Sequence, residues 1–263
     1  MTREQYQTVR RHFTRYVARY RDAAGALPAM QNLKWRHTAC VVADAGRVMA
    51  AEGWDDAPRQ VGRTAALLHD IGRFSQYDEF RTFQDSASVD HAARGCEVME
   101  REGILAGVPG ADARMILEAV RLHNAKTLPP ATDLPTAALA DLVRDADKLD
   151  IFRVMEQAIA DGSLERNPEI AWGLQVKGAP SPDVVEAIRQ GHSVSYAWIG
   201  TLADFILIQV GWLIGGLHYA TACRLAAERK VLDFREAFLK TLSDDSGVAV
   251  CCQAARAYLA ARK

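Results

Sequence analysis

Apolar side chains recur every three or four residues along most of this 263-residue chain, which is the spacing of amphipathic α-helices. In the first such segment, Tyr6, Val9, Phe13, Val17 and Tyr20 follow this spacing. Gly72, a residue type that commonly ends helices, is expected to close the third helix. The predicted helices cover about residues 6–20, 34–51, 58–71, 88–101, 111–123 and 136–160, with loops at Gly25–Asn32, Ser75–Ser86 and Asn124–Pro135.

The pattern is interrupted once in the second half of the chain. Asp161–Pro182 contains three prolines and three glycines, so we expect a loop or a short hairpin there. Two or three further helices are expected between about residues 183 and 261, and no strand-rich region or internal repeat is visible. The sequence therefore predicts an all-α fold, a single domain over residues 1–263 with additional C-terminal helices over about 183–263.

Composition narrows the class of protein. Hydrophobic residues make up 49% and charged residues 25%, which is typical of a globular protein. The formal net charge is −1, so the chain has no excess of basic residues of the kind that nucleic-acid binders usually show, and we expect no nucleic-acid partner. The most apolar stretch, Tyr196–Leu217, is interrupted by Asp204 and Gln209, which favours a buried core helix over a membrane span.

Cysteine usage points to a reducing compartment. The five cysteines are odd in number, and Cys251 and Cys252 are adjacent, which is too close for an ordinary disulfide. The first 22 residues carry charges throughout and show no apolar signal region. We therefore expect a cytoplasmic protein with reduced thiols; self-association into a homo-oligomer is left open.

The adjacent pair His69-Asp70 ends a strongly apolar predicted helix. Two polar groups at a buried helix end need partners, and a divalent cation would satisfy both. In the alternative interpretation, His69 caps its own helix and Asp70 pairs with an arginine. The dipeptide alone leaves both interpretations open.

Other ligand-type residues are spread over separate helices. Each of them, taken singly, fits a hydrogen-bonded core histidine or a solvated acid equally well. Taken together they place one ligand on each helix of a bundle, which is how bundles build metal sites between facing helices. These further candidates are His37, His91, His123 and Asp147.

The order His37, His69-Asp70, Asp147 resembles that of the HD-domain superfamily of metal-dependent phosphohydrolases. The segments LLHDIGRF, SVDHAARG, RLHNAKTLP and LVRDADKLDIFRV are similar to segments of bacterial HD phosphohydrolases. The resemblance covers about residues 33–156, the expected metal-binding core, and it implies an HD-domain helical bundle.

The resemblance also implies a ligand set. His37, His69, Asp70 and Asp147 would hold a first metal, and Asp70 would bridge to a second metal held by His91 and His123. Imidazole and carboxylate ligands suit Mn, Fe, Co or Ni, with Mg or Zn as further options. A divalent ion lowers the pKa of its bound water towards about 7, which would supply hydroxide for hydrolysis of a small phosphate ester, most plausibly a nucleotide.

A phosphate substrate also needs cationic groups. Arg73 follows Asp70 by three residues and its planar fork suits phosphate, so we expect it, with Asp70, to act in catalysis. Lys126 and Lys148 are further candidates for phosphate binding, although both fit ordinary surface lysines equally well. Asp78, in the loop Ser75–Ser86, is a candidate general acid.

Two departures from known subgroups bear on function. Arg73 stands where cyclic-dinucleotide phosphodiesterases of the superfamily carry a lysine, and their Gly-Tyr-Pro motif is missing from the chain. Di-iron oxygenases of the superfamily share the ligand order, but inositol-type members also carry a lysine at the position of Arg73. An oxygenase and a non-catalytic regulatory module therefore stay as the alternatives to a phosphohydrolase.

Overall fold

The structure, a computed structural model, describes residues 1–192 and 194–262, and Tyr196 through its backbone alone. The described residues form helices joined by turns, with one isolated bridge between Gln175 and Thr201 and no extended strand. The all-α prediction is therefore confirmed. The chain divides into two compact units, Met1–Asp150 and a second that begins at Ile151. The expectation of one domain over the whole chain stays a prediction.

The first unit is built around α3. This helix contacts α1, α2 and α6, and small residues on its surface allow close packing. A Cβ atom added at Gly62 would lie 2.3 Å from Met49 Sδ and 3.0 Å from Leu142 Cδ2, so any larger residue would force these side chains to shift. The helices of this unit are α1 (Arg3–Ala18), α2 (Ala29–Ala51), α3 (Asp56–Leu68), α4 (Ile71–Phe80), α5 (His91–Arg101), α6 (Gly110–Leu122) and α7 (Leu134–Ala160), whose last turns enter the second unit.

Two expectations for residues 58–86 were wrong. Helix α3 ends at Leu68, the chain turns at His69-Asp70, and α4 starts at Ile71, so Gly72 lies inside a helix. Gly72 is required by close packing instead: a Cβ atom there would lie 2.3 Å from the backbone oxygen of His91. The expected loop from Ser75 is helical as far as Phe80.

The second unit contains more helices than expected. Asp161–Pro182 includes a short helix and a 3₁₀ turn and forms no hairpin, and the residues described from Pro182 onwards form five α-helices where two or three were expected. Glycines and short turns divide this region, which the apolar periodicity alone does not reveal. Its helices are α8 (Ser163–Arg166), α9 (Pro182–Arg189), α10 (Leu202–Trp212), α11 (Ala220–Glu228), α12 (Val231–Lys240) and α13 (Ser246–Ala261).

Helix α10 forms the centre of the second unit. It covers 11 residues of the apolar stretch, and its residues 202–210 are all buried. Nowhere in residues 1–192 and 194–262 does a helix reach the length and apolar character that a membrane crossing requires. None of the five cysteines, all of which lie in the described residues, forms a disulfide.

Two buried charges organise the second unit. Asp204 accepts hydrogen bonds from the backbone N–H groups of Ser181, Gly200 and Thr201, which lowers the pKa of this carboxyl although burial opposes its charge. The fully buried guanidinium of Arg235 donates to Glu156 and Gln209 and to backbone carbonyls. Both charges have the partners that buried ionic groups need.

Candidate metal centre

The six candidate ligands lie together in the first unit because helix ends meet there. Two of the histidines stand where a helix ends: His69 follows α3 and His123 follows α6. His91 is the first residue of α5, and Asp90 caps that helix by accepting from the N–H groups of Ala92 and Ala93. Short polar segments at helix ends thus bring ligand-type side chains to one buried place. The other three are His37 on α2, Asp70 at the start of α4 and Asp147 on α7.

One oxygen of Asp70 faces three of these residues, a group that we call the first half-site (Asp70 Oδ2, His37, His69 and Asp147). Asp70 Oδ2 lies 3.6 Å from His37 Nε2 and 3.5 Å from His69 Nε2. Asp147 Oδ1 lies 3.0 Å from His37 Nε2 and 3.7 Å from His69 Nε2. Four potential ligand atoms therefore surround one point.

The other oxygen of Asp70 faces the remaining two histidines, which we call the second half-site (Asp70 Oδ1, His91 and His123). Asp70 Oδ1 lies 3.5 Å from His91 Nε2 and 3.8 Å from His123 Nε2. The Nε2 atoms of the two histidines are 3.0 Å apart. Asp70 is thus the residue that the two half-sites share.

The Nδ1 atom of every one of the four histidines has a hydrogen-bond acceptor. His37 Nδ1 lies 2.6 Å from Asp150 Oδ2, and His91 Nδ1 lies 2.6 Å from Asp85 Oδ2. His69 Nδ1 contacts the Ala66 carbonyl at 2.8 Å, and His123 Nδ1 contacts the Val120 carbonyl at 2.6 Å. In a neutral ring, a proton held on Nδ1 leaves Nε2 as a lone pair that faces the cluster, as in metal-ligating histidines.

These contacts bear on both interpretations of His69. Its Nδ1 atom bonds the carbonyl three residues earlier, so it does cap its own helix. The same contact turns Nε2 towards Asp70 and Asp147. Helix capping therefore does not exclude a ligand role for His69, which stays a prediction.

The donor set fits divalent cations. In the second half-site, the Nε2 atoms of two imidazoles lie 3.0 Å apart beside Asp70 Oδ1, so that these three atoms could serve together as ligands of one cation. Neutral imidazole and carboxylate are the ligand types of transition-metal sites in helical bundles. All four histidines and Asp70 are buried.

The pKa values of the cluster follow from burial and from its carboxylates. Burial lowers the pKa of His69 and of His91 to about 4, so both rings are neutral at pH 7. Burial also disfavours charge on His37, but the hydrogen bonds to Asp147 and Asp150 outweigh it and raise the pKa of His37 to about 9. Although burial opposes its charge, Asp70 has a pKa well below the ordinary value, chiefly because the ammonium of Lys34 stabilises the carboxylate.

Two cationic side chains also reach Asp70. Lys34 Nζ lies 2.7 Å from Asp70 Oδ2, and its side chain is 17% exposed. Arg73 Nε lies 3.5 Å from Asp70 Oδ1 and has no hydrogen-bond partner, although the atom is buried. Both cations lie against the ring of Phe83, at 5.2 Å for Lys34 and 5.8 Å for Arg73. Each oxygen of Asp70 is therefore faced by histidines and by one cation.

The remaining sequence candidates lie elsewhere. Asp78 is on α4 with its side chain 58% exposed, and its carboxylate lies 3.8 Å from Arg81. Lys126 is exposed in the loop after α6. Lys148 is half-buried on α7, its ammonium lies 3.5 Å from the Arg144 carbonyl, and burial together with Arg144 lowers its pKa. The general-acid role of Asp78 and the phosphate-binding roles of Lys126 and Lys148 stay predictions.

Three residues of the site were missed by the sequence analysis. Lys34 precedes His37 by three residues and Asp150 follows Asp147 by three, so helical spacing could have placed both on the ligand faces. Asp85 lies in the segment between α4 and α5, for which no periodic signal exists. Only the fold places it against His91.

Comparison with known proteins agrees with this geometry. Residues 35–151 match the family model described as HD domain. No curated protein and no solved structure is found to match the chain. The matched segment includes all six residues of the His/Asp cluster. The chain therefore carries an HD domain over residues 35–151, and the cluster belongs to it.

Proposed function

We propose that the chain is a metal-dependent phosphohydrolase that cleaves a small phosphate ester, with a nucleotide as the expected substrate, at a centre for two divalent ions. The observation that carries the proposal is the position of Asp70, whose two oxygens face separate sets of histidines. A carboxylate in that position can bridge two ions. HD domains are associated with metal-dependent phosphohydrolysis, which supports the assignment.

In this proposal the residues of the chain have distinct tasks. His37, His69, Asp147 and Asp70 Oδ2 would hold one ion, and His91, His123 and Asp70 Oδ1 the other. Two bound ions supply hydroxide at neutral pH and positive charge for the phosphoryl oxygens. The backbone carbonyls and carboxylates at Nδ1 keep the imidazoles oriented, so that little reorganisation is needed when ions bind.

Substrate binding is assigned to the two cations beside Asp70. The Nε–H group of Arg73 is buried, has no hydrogen-bond partner and faces Asp70 Oδ1, and the ammonium of Lys34 at the other oxygen of Asp70 is partly exposed. A phosphate dianion that reaches the cluster would offer both groups an acceptor. We propose that they hold oxygens of the substrate phosphate. Lys126 and Lys148 stay further candidates.

The test begins with the protein purified without chelator and reconstituted with Mn²⁺, Fe²⁺, Co²⁺ or Ni²⁺. We expect two ions per chain by elemental analysis and phosphate release from at least one member of a panel of nucleotides and sugar phosphates. Asp70→Ala should abolish turnover and keep the helical circular-dichroism spectrum, because it removes a ligand of both half-sites. Asp56→Ala, which removes a carboxylate from the exposed start of α3, is the matched control.

The outcomes separate the alternatives. Less than one ion per chain after reconstitution would overturn the proposal. Oxygen uptake by the iron-loaded protein without phosphate release would indicate the oxygenase instead, and binding of ions without any turnover would indicate a regulatory module. Cytoplasmic location and the lack of a nucleic-acid partner are part of the same proposal.

A further inference from the structure

Asp85 links the second half-site to the proposed phosphate-binding arginine. Its Oδ2 atom accepts from His91 Nδ1 at 2.6 Å. Its Oδ1 atom accepts from Arg73 Nη1 at 2.7 Å and from Gln76 Nε2 at 2.9 Å. These contacts hold the pKa of Asp85 well below its usual value although burial opposes its charge.

The partners of Asp85 differ in whether they can change from a hydrogen-bond donor to an acceptor. Arginine has donors only, and the amide nitrogen of Gln76 also donates to Ser88 Oγ and to the Val89 carbonyl, so neither partner can become an acceptor without loss. A neutral imidazole has one donor and one acceptor nitrogen and can exchange them. His91 is therefore the partner whose proton position depends on whether residue 85 accepts or donates the hydrogen bond between them.

We infer that Asp85 is a positioning residue that sets the tautomer of His91. Its carboxylate keeps the ring proton of His91 on Nδ1, so that Nε2 stays a lone pair directed at Asp70 Oδ1 and His123. Through Oδ1 it also fixes the guanidinium of Arg73. Asp85 thereby couples the binding of an ion at the second half-site to the position of Arg73, the proposed phosphate-binding cation.

Substitution with asparagine separates this role from a merely structural one. In Asp85→Asn, one end of the carboxylate becomes an NH₂ group, which cannot face the donors of Arg73 and Gln76. The NH₂ group must then face His91, whose proton moves to Nε2 and blocks the ligand atom. Asp85→Ala removes the acceptor but imposes no tautomer. If Asp85 sets the tautomer of His91, Asp85→Asn should weaken metal binding at the second half-site more than Asp85→Ala does. If Asp85 has only a structural role, Asp85→Ala should be the more damaging variant.

The first measurement needs no metal. Long-range ¹H–¹⁵N spectra of the metal-free full chain report which ring nitrogen of each histidine is protonated. We expect Nδ1–H for His91 in the wild type and Nε2–H in Asp85→Asn. Asp90→Asn, which removes the same charge next to His91 and keeps a good helix cap, should leave the Nδ1–H form in place. An Nδ1–H tautomer in Asp85→Asn would overturn the inference.

The second measurement rests on the proposed function, because it counts two ions. Second-site Mn²⁺ affinity should fall by about 10- to 100-fold in Asp85→Asn, the range usual for groups that orient metal ligands, and by less in Asp85→Ala. Equal losses, or a larger loss in Asp85→Ala, would overturn the role of Asp85. If the wild type binds no second ion, the proposed function fails, and the tautomer spectra still decide the inference.

Discussion

Lys34 makes a contact that a metal ion must displace. Its ammonium lies 2.7 Å from Asp70 Oδ2, the oxygen that faces His37 and His69. In the metal-free chain this lysine therefore acts as the counter-ion of Asp70. We predict that Lys34→Met, which keeps the length of the side chain and removes its charge, tightens metal binding at the first half-site.

The size of the effect follows from the contact that is lost. A buried hydrogen bond between charged groups contributes about 1.5–3 kcal/mol. Lys34→Met should remove that stabilisation from the metal-free protein and leave the metal-loaded protein nearly unchanged. Since about 1.4 kcal/mol corresponds to a factor of ten, the dissociation constant of the first ion should decrease roughly 10- to 150-fold.

Two independent measurements check this prediction. Isothermal titration with Mn²⁺ gives the dissociation constant, and denaturant unfolding with and without Mn²⁺ gives the free energies of unfolding. Thermodynamic linkage requires the loss of stability of the metal-free variant to equal its gain in binding free energy. Arg36→Met, which removes a charge from an exposed position of the same helix, should change neither quantity by more than about 0.5 kcal/mol.

The reasoning about Lys34 can be refuted in two ways. An unchanged or weaker Mn²⁺ affinity in Lys34→Met would show that the lysine does not compete for Asp70. Equal destabilisation with and without metal would show that Lys34 stabilises the fold rather than the metal-free state of the cluster.

Three further predictions concern other parts of the molecule. His91→Ala should lose the second ion and keep most of the first, because His91 contacts Asp70 Oδ1 and not Oδ2; elemental analysis that shows both ions lost together would contradict separate half-sites. Arg73→Ala should lower kcat/KM at least tenfold with unchanged metal content, and Arg73→Lys should recover only part, because an ammonium lacks the planar fork. Asp204→Ala should cost about 3 kcal/mol at pH 7, because it leaves backbone N–H groups unpaired. The folded-state pKa of Asp204 is lowered, so its stabilisation is present above about pH 4 and is lost as the pH falls through that folded-state value. Urea unfolding at pH 7 and pH 3 should therefore show a smaller difference between wild type and Asp204→Ala at pH 3.

The sequence predicted the fold class because helical periodicity is a local property. It predicted the HD domain because the ligand segments are contiguous and ordered, and the family match over residues 35–151 agrees. It misplaced α4 because the apolar run up to Ile71 hides the turn at His69-Asp70. That turn depends on partners for both side chains that come from other helices.

Sequence reasoning named the six candidate ligands, both those within helices and those at helix ends, but missed residues that orient them. The ligand types could be named because histidine and aspartate chemistry is independent of the fold. The contacts that orient the ligands could not be predicted, because every residue has a backbone carbonyl and the sequence does not show that the carbonyl of Ala66 meets a histidine ring. Arg73 illustrates the same limit: it pairs with Asp85, which lies 12 residues along the chain outside any periodic segment.

Gly72 connects the misplaced helix end to the function of the site. A Cβ atom at Gly72 would lie 2.3 Å from the backbone oxygen of His91 and 2.6 Å from the backbone nitrogen of Gly95. Neither atom can move without α5, which begins at His91. Gly72→Ala should therefore separate α4 from α5 and draw the ring of His91 away from Asp70 Oδ1.

We predict that Gly72→Ala destabilises the protein by about 1–3 kcal/mol, as overpacking usually does, and weakens binding of the second ion more than binding of the first. Denaturant unfolding and Mn²⁺ titration measure the two effects. Gly46→Ala on α2 is the control, because a Cβ atom there meets nothing within 4 Å and should stabilise the helix by about 0.5–1 kcal/mol. If Gly72→Ala binds both ions with wild-type affinity, then the close approach of α4 and α5 serves packing alone, and the geometry of the second half-site does not depend on it.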